Sequence, residues 1–193
     1  MKAVMFAASA AVLACAVPAI AAAQTAPPTG VYATLGYDDT HLDNVNLGAI
    51  QGRLGYRFNN WLGVEGELAG GVKGDSFDTT VNGAEVTGKA KLQHQEAIYG
   101  VGFLPLNTQW DLLARVGYGH TRGTVNDVTV SGVGGTASGL SAGANGDSWN
   151  YGVGAQYHWD AKNGVRADYT REEFTHGSSD HADVWSIAYA YKF

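Results

Sequence analysis

Ser148-Trp149-Asn150-Tyr151-Gly152-Val153-Gly154-Ala155-Gln156-Tyr157-His158-Trp159 alternates without a break. Trp149, Tyr151, Val153, Ala155, Tyr157 and Trp159 share one parity, and Asn150, Gly152, Gly154, Gln156 and His158 share the other. Successive side chains of a strand point to opposite faces, so a period of two predicts a strand with one bulky face and one small, polar face. The same division recurs in residues 183–193. There Trp185, Ile187, Tyr189, Tyr191 and Phe193 oppose Ser186, Ala188, Ala190 and Lys192. In residues 110–119, Trp110, Leu112, Ala114, Val116 and Tyr118 oppose Asp111, Leu113, Arg115, Gly117 and Gly119.

Working outward from these segments, period-two stretches are read at residues 31–38, 45–58, 61–72, 85–104, 110–122, 148–159, 164–174 and 183–193. Their connections alternate in length. Short turns are expected at 58–61, at 104–109 around Pro105, and at 160–164, where Asn163-Gly164 is read as supplying positive φ angles. Longer loops are expected at 39–44, 73–84, 123–147 and 175–182. In the third of these, Val125, Val128, Val130 and Val133 alternate weakly and could extend a hairpin. Residues 134–146 are rich in Gly, Ala and Ser and are expected to be mobile. Short turns at one end and longer loops at the other fit an all-β fold: an eight-stranded antiparallel up-and-down transmembrane β-barrel.

Alternation by itself also fits a soluble lipocalin-like carrier, whose apolar face points inward. The composition of the polar face separates the two. Small residues suit the cramped interior of eight strands, whereas a water-facing exterior would carry Lys, Glu, Thr and Gln throughout. The bulky face bears aromatics at its ends: Trp110, Tyr118, Trp149, Trp159 and Trp185 are candidates for two interfacial girdles around a lipid-facing band. On the second face the strands carry charge. Arg53, Arg57, Glu65, Glu67, Glu96, Arg115, Arg166 and Asp168 are assigned by parity to a lumenal network. They are expected to pair, because an unpaired charge in a narrow lumen is expensive. Such a network either fills and stiffens the barrel or gates a narrow ion path.

The first 23 residues read as a secretory signal. Lys2 supplies the positive start, residues 4–20 are apolar, and Ala21, Ala22 and Ala23 precede Gln24. The organisation expected is therefore 1–23 signal peptide and 24–193 barrel. The only cysteine, Cys15, falls within the signal; Val12-Leu13-Ala14-Cys15 is similar to a lipoprotein cleavage box, with Leu13 bulky for its position. Without Lys2 the chain has 11 basic and 18 acidic residues, a net charge of −7, which argues against nucleic-acid binding. Twenty-seven glycines and ten tyrosines beside four prolines are unusual for a soluble helical domain.

Gly30-Val31-Tyr32-Ala33-Thr34-Leu35-Gly36-Tyr37, Gly52-Arg53-Leu54-Gly55-Tyr56-Arg57-Phe58 and Trp61-Leu62-Gly63-Val64-Glu65-Gly66-Glu67 carry a resemblance over nearly the whole mature chain. The sequence resembles the OmpA-like outer-membrane β-barrel family, the small porin-family or surface-antigen type of Gram-negative bacteria. Its ending, Ala188-Tyr189-Ala190-Tyr191-Lys192-Phe193, is similar to that family's terminal assembly signal. The resemblance implies that Tyr189, Tyr191 and Phe193 are read by the barrel assembly machinery. Many members continue into a peptidoglycan-binding domain, and nothing after Phe193 carries that function over.

Candidate chemistry is sparse. His41, His94, His120, His176 and His181 gather toward the longer loops, and His158 toward the short turns, without tight metal-ligand spacing. Asp38, Asp39, Asp43, Asp75, Asp78, Glu172, Glu173, Asp180 and Asp183 crowd the loop end as a hydrophilic rim or as sites for cations bridging lipopolysaccharide phosphates. His176 with Ser178 or Ser179 near Glu173 would be the residues of a lipid hydrolase, but no nucleophile motif surrounds either serine. No cofactor or metal is expected. The expected function is a structural or surface-interaction role without catalysis. The alternatives are a narrow ion or small-solute channel, a lipid-modifying enzyme, and a soluble carrier. Expected partners are outer-membrane lipid, lipopolysaccharide and the assembly machinery, with the protein monomeric.

Overall fold

The computed structural model describes residues 29–42, 45–81, 84–132, 135–175 and 181–193. The signal segment, Cys15, Asp43, His176, Ser178, Ser179 and Asp180 lie outside the described residues, and so do the readings that rest on them. Alternation without interior proline builds nine strands: β1 (Gly30–Leu42), β2 (Val45–Arg57), β3 (Leu62–Lys73), β4 (Asp75–Val81), β5 (Ala84–Pro105), β6 (Trp110–Gly132), β7 (Gly135–His158), β8 (Asn163–Phe174) and β9 (His181–Lys192). Every pairing is antiparallel. β1, β2, β3, β5, β6, β7, β8 and β9 form a ring of eight, closed by β3 against β5 and by β1 against β9. β4 pairs with β5 outside that ring. Closure leaves no open edge in the ring, which is what a sheet in lipid requires.

The three short turns are each held by one side chain. Asn59 Oδ1 accepts the N–H groups of Trp61 and Leu62 at 2.8 and 2.9 Å. Asn107 Oδ1 does the same for Gln109 and Trp110, and Asp160 Oδ1 for Lys162 and Asn163. These are Asx turns, in which the side chain imitates a backbone carbonyl. The Lys162 N–H and the Asn163 amide hold the Asp160 carboxyl below the usual carboxylate range. Positive φ angles at Asn163-Gly164 play no part: among the described residues only Gly30, Asp127 and Gly139 have them. Gly164 is needed for space instead, since a Cβ there would lie 2.5 Å from the Tyr157 carbonyl oxygen.

The opposite end carries more strand than the loops expected there, although the hairpin extension read from Val125, Val128 and Val130 is present in β6; Val133 lies outside the described residues. Residues 75–81 form β4 rather than part of a loop, and Asp75 ties it to the tip of β2 by accepting the Asn46 N–H at 2.9 Å. β6 and β7 stay paired from the ring up to Gly132 and Gly135, so residues 135–146, expected to be mobile, form strand instead. Thr136, Ser138, Leu140, Ser141 and Asn145 are exposed, but a hairpin satisfies its backbone through the ladder alone. The stretch of β6 beyond Gly119 is roughly 40 Å of strand at about 3.3 Å per residue. β4, β5, β6 and β7 thus make a blade that rises above the ring.

The outer face of the ring is apolar, with Leu35, Leu54, Leu68, Ile98, Val116, Val153 and Ile187 all exposed. Aromatic pairs bound it at both ends. Tyr118–Trp149 and Tyr169–Trp185, with ring centroids 5.4 and 4.9 Å apart, mark the hairpin end. Trp110–Tyr157 and Trp159–Tyr189, at 5.0 and 6.0 Å, mark the turn end. Trp110 and Tyr118 are separated by roughly 26 Å of extended strand before tilt, near the height of the lipid band of such barrels.

Candidate functional site: the barrel lumen

The lumen decides the orientation. Glu65 and Glu67 are 1 % and 4 % exposed, whereas Trp159 and Tyr189 are 50 % and 46 % exposed on the outside. This is the reverse of a lipocalin, whose apolar face lines the cavity.

Three guanidiniums meet three carboxylates at mid-height. Arg53 donates from Nε to Glu67 Oε2 at 2.5 Å and from Nη1 to Asp168 Oδ2 at 2.6 Å. Arg115 donates from Nη1 to Glu67 Oε2 at 2.9 Å and from Nε to Thr170 Oγ1 at 2.9 Å. Arg166 donates from Nε to Asp168 Oδ1 at 2.8 Å and also holds Glu65. Hydroxyls take remaining lone pairs: Tyr32 donates to Glu65 at 2.7 Å and Tyr99 to Glu67 at 3.3 Å, while Asn150 donates to Tyr99 at 2.9 Å. Each charge is paired and further hydrogen-bonded, the condition under which buried ion pairs hold. A lower tier stands at the turn end, where Arg57 reaches Asp111 at 2.8 Å and His158 lies 3.2 Å from the same carboxylate.

The strands position these groups by parity. β2 turns Arg53 and Arg57 inward, β3 turns Glu65 and Glu67, and β8 turns Arg166 and Asp168. Glu96 departs from the expectation. It is exposed on the outer face, opposite His120 in β6 and one step beyond the Ile98–Tyr118 pair. In β5 the bulky residues Tyr99, Val101 and Phe103 face inward, and Gly100 and Gly102 face out. Guanidiniums explain the inversion: Arg115 lies 4.4 Å over the Tyr99 ring and Arg57 4.1 Å over Phe103. With Tyr32 and Leu113 these side chains form an apolar cluster inside the lumen, so the interior is not filled by small residues and ions only.

Asp38 and Glu172, expected on a hydrophilic rim, are buried inside the outer half of the lumen. Glu172 accepts from the Gln95 amide. His120 pairs with Asp147 at 2.6 Å above the girdle, and His41 and His181 lie near Asp39 and Asp183. The parity rule that places Arg115 also places Asp111, yet Tyr32, Tyr99, Asn150 and Gln95 carry no charge by which to single them out.

The family model described as Outer membrane protein beta-barrel domain matches residues 7–193. The chain belongs to this family. Its location is accordingly the outer membrane; barrels of this kind carry their short turns on the periplasmic side and their longer loops outside. No curated protein matches the chain. Among solved structures, it is similar to Ail of Yersinia pestis in complex with the heparin analogue sucrose octasulfate (19 % identity, 86 % of this chain and 99 % of that one, TM-score 0.55). It is also similar to Neisserial surface protein A (11 % identity, 85 % and 97 %, TM-score 0.61). The N-terminal β-barrel domain of Pseudomonas aeruginosa OprF is a third (8 % identity, 85 % and 100 %, TM-score 0.51). At these identities the likeness is one of fold.

Proposed function

We propose that the chain is a closed, non-enzymatic outer-membrane barrel with a structural and surface-directed role. The observation that supports this reading is the lumen: Arg53, Arg115 and Arg166 are tied to Glu65, Glu67 and Asp168 across its whole width. Eight strands leave room for side chains and no open pore. The blade of β4, β5, β6 and β7 gives the protein its external surface. That blade carries Lys89, Lys91 and Arg122 beside Asp75, Asp78, Glu85, Asp127 and Asp147. The charge is mixed, without a basic stripe, and does not favour a polysulfated ligand of the kind in the Ail complex. In this reading the barrel is a monomer in contact with lipid and lipopolysaccharide, and Tyr189, Tyr191 and Phe193 present the assembly signal.

Planar-bilayer recording of the refolded barrel tests the closed state. The expected result is no unitary conductance above the lipid baseline. Discrete steps that change in Glu65→Gln or Arg115→Met would establish instead a channel gated by these ion pairs.

A further inference from the structure

Above the ion-pair network the lumen opens into a chamber of about 350 Å³. Seven of the eight ring strands contribute to its wall, so it lies inside the barrel rather than in a surface groove. Leu47, Leu92 and Phe174 make apolar walls, and the floor is the Gln95–Glu172 pair. Glu172 is 3 % exposed. The ion pairs of the lumen use Arg53, Arg57, Arg115 and Arg166 on Glu65, Glu67, Asp111 and Asp168, and among the described residues no cation lies within pairing distance of Glu172. Thr121 also lines the chamber, and its buried hydroxyl has no hydrogen-bond partner among the described residues. Lys91 stands at the wall with its side chain exposed, where solvent screens its charge.

We propose that this outer chamber is a binding site for a small organic cation: a primary ammonium carried on an apolar body about the size of one aromatic ring. Ligand sites are concave, mostly apolar, and carry a few polar groups that fix orientation. Three features agree here. A buried carboxylate lacking a counter-cation is expensive, and an ammonium removes that expense while donating a hydrogen bond to Glu172. The Leu and Phe walls take the apolar body and exclude a hydrated inorganic ion, which would have to shed water without ligands to replace it. A void of about 150 Å³ suffices for benzene, so the chamber holds a ring with a short side arm. An anion is excluded by Glu172 itself.

The test uses the full barrel in lipid nanodiscs, with ligand-observed fluorine NMR and empty nanodiscs to subtract partition into lipid. The probes are 4-fluorobenzylamine, 4-fluorobenzyl alcohol and 4-fluorobenzoate. The amine is expected to bind saturably, the alcohol about tenfold or more weakly, and the benzoate not at all. Glu172→Gln is expected to weaken the amine by about tenfold or more and leave the alcohol unchanged. Leu47→Trp, which fills the chamber, is expected to abolish binding of both. Equal affinity for amine and alcohol, full amine affinity in Glu172→Gln, or unaltered binding in Leu47→Trp would each overturn the proposal, as would the absence of saturable binding.

Discussion

At the scale of the residue, Glu67 is the hub. One carboxylate accepts from Arg53 at 2.5 Å, from Arg115 at 2.9 Å and from Tyr99 at 3.3 Å. Removing its charge leaves two guanidiniums short of a counterion in a space with little water. Breaking a buried pair from one side typically costs about 3–5 kcal/mol. Glu67→Gln is therefore expected to lower unfolding stability by about that amount, read from the denaturant midpoint of the lipid-reconstituted barrel. Glu96→Gln is the matched comparison, since Glu96 is on the strand surface facing away from the lumen. Surface substitutions of this kind stay within roughly 0.5 kcal/mol. Similar losses in both variants would show that the lumenal pairing has no special weight.

At the scale of the element, the strands were legible because a half-buried strand repeats every two residues, and the membrane parts of the eight ring strands follow that period. What the period does not carry is which parity faces in. Charge decides it in β2, β3 and β8, where Arg and Glu share one parity. In β5 the carboxylate nearest the membrane part is Glu96, which lies past the girdle, so the parity inferred from it is inverted. The aromatic residues that face inward there do so to meet guanidiniums on other strands, a long-range reason that no local pattern records. The blade was partly hidden for a related cause: Val125, Val128 and Val130 kept a weak alternation that marked the rise of β6, but the ladder that orders β4 and residues 135–146 leaves no hydrophobic signature. Close packing of elements leads to a second prediction, at the seam between the first and last strands. A Cβ on Gly36 would come within 2.3 Å of the Ile187 carbonyl oxygen and 2.6 Å of Ala188 Cβ. Gly52, on the neighbouring strand, has nothing within 4 Å of such an atom. Gly36→Val is expected to obstruct closure and Gly52→Ala to permit it. A closed barrel resists detergent until heated, so the fraction of refolded protein with heat-modifiable gel mobility reads this directly. Equal fractions in the two variants would contradict the seam's role.

At the scale of the whole molecule, folding and delivery can be separated, and Phe193 is where they part. The residue is 69 % exposed, its ring meets Tyr191 edge-on at 5.1 Å, and its backbone N–H donates to the Val31 carbonyl at 3.2 Å. The interior is independent of it: neither the lumenal network nor either apolar cluster includes this residue. A chain lacking the Phe193 side chain therefore retains what closes the ring. If the terminal aromatics serve recognition by the assembly machinery, Phe193→Ala refolds in detergent micelles with the heat-modifiable mobility of the unmodified protein, yet its level in the outer membrane of living cells falls several-fold. Tyr189→Ala differs, because Tyr189 also packs on Trp159 in the girdle at the turn end at 6.0 Å and loses membrane anchoring as well as any signal. Restoring Phe193 by Trp, which keeps a large exposed ring, is expected to recover most of the cellular level. Normal outer-membrane abundance of Phe193→Ala would remove the assembly role from this residue, and a refolding defect in micelles would reassign it to stability.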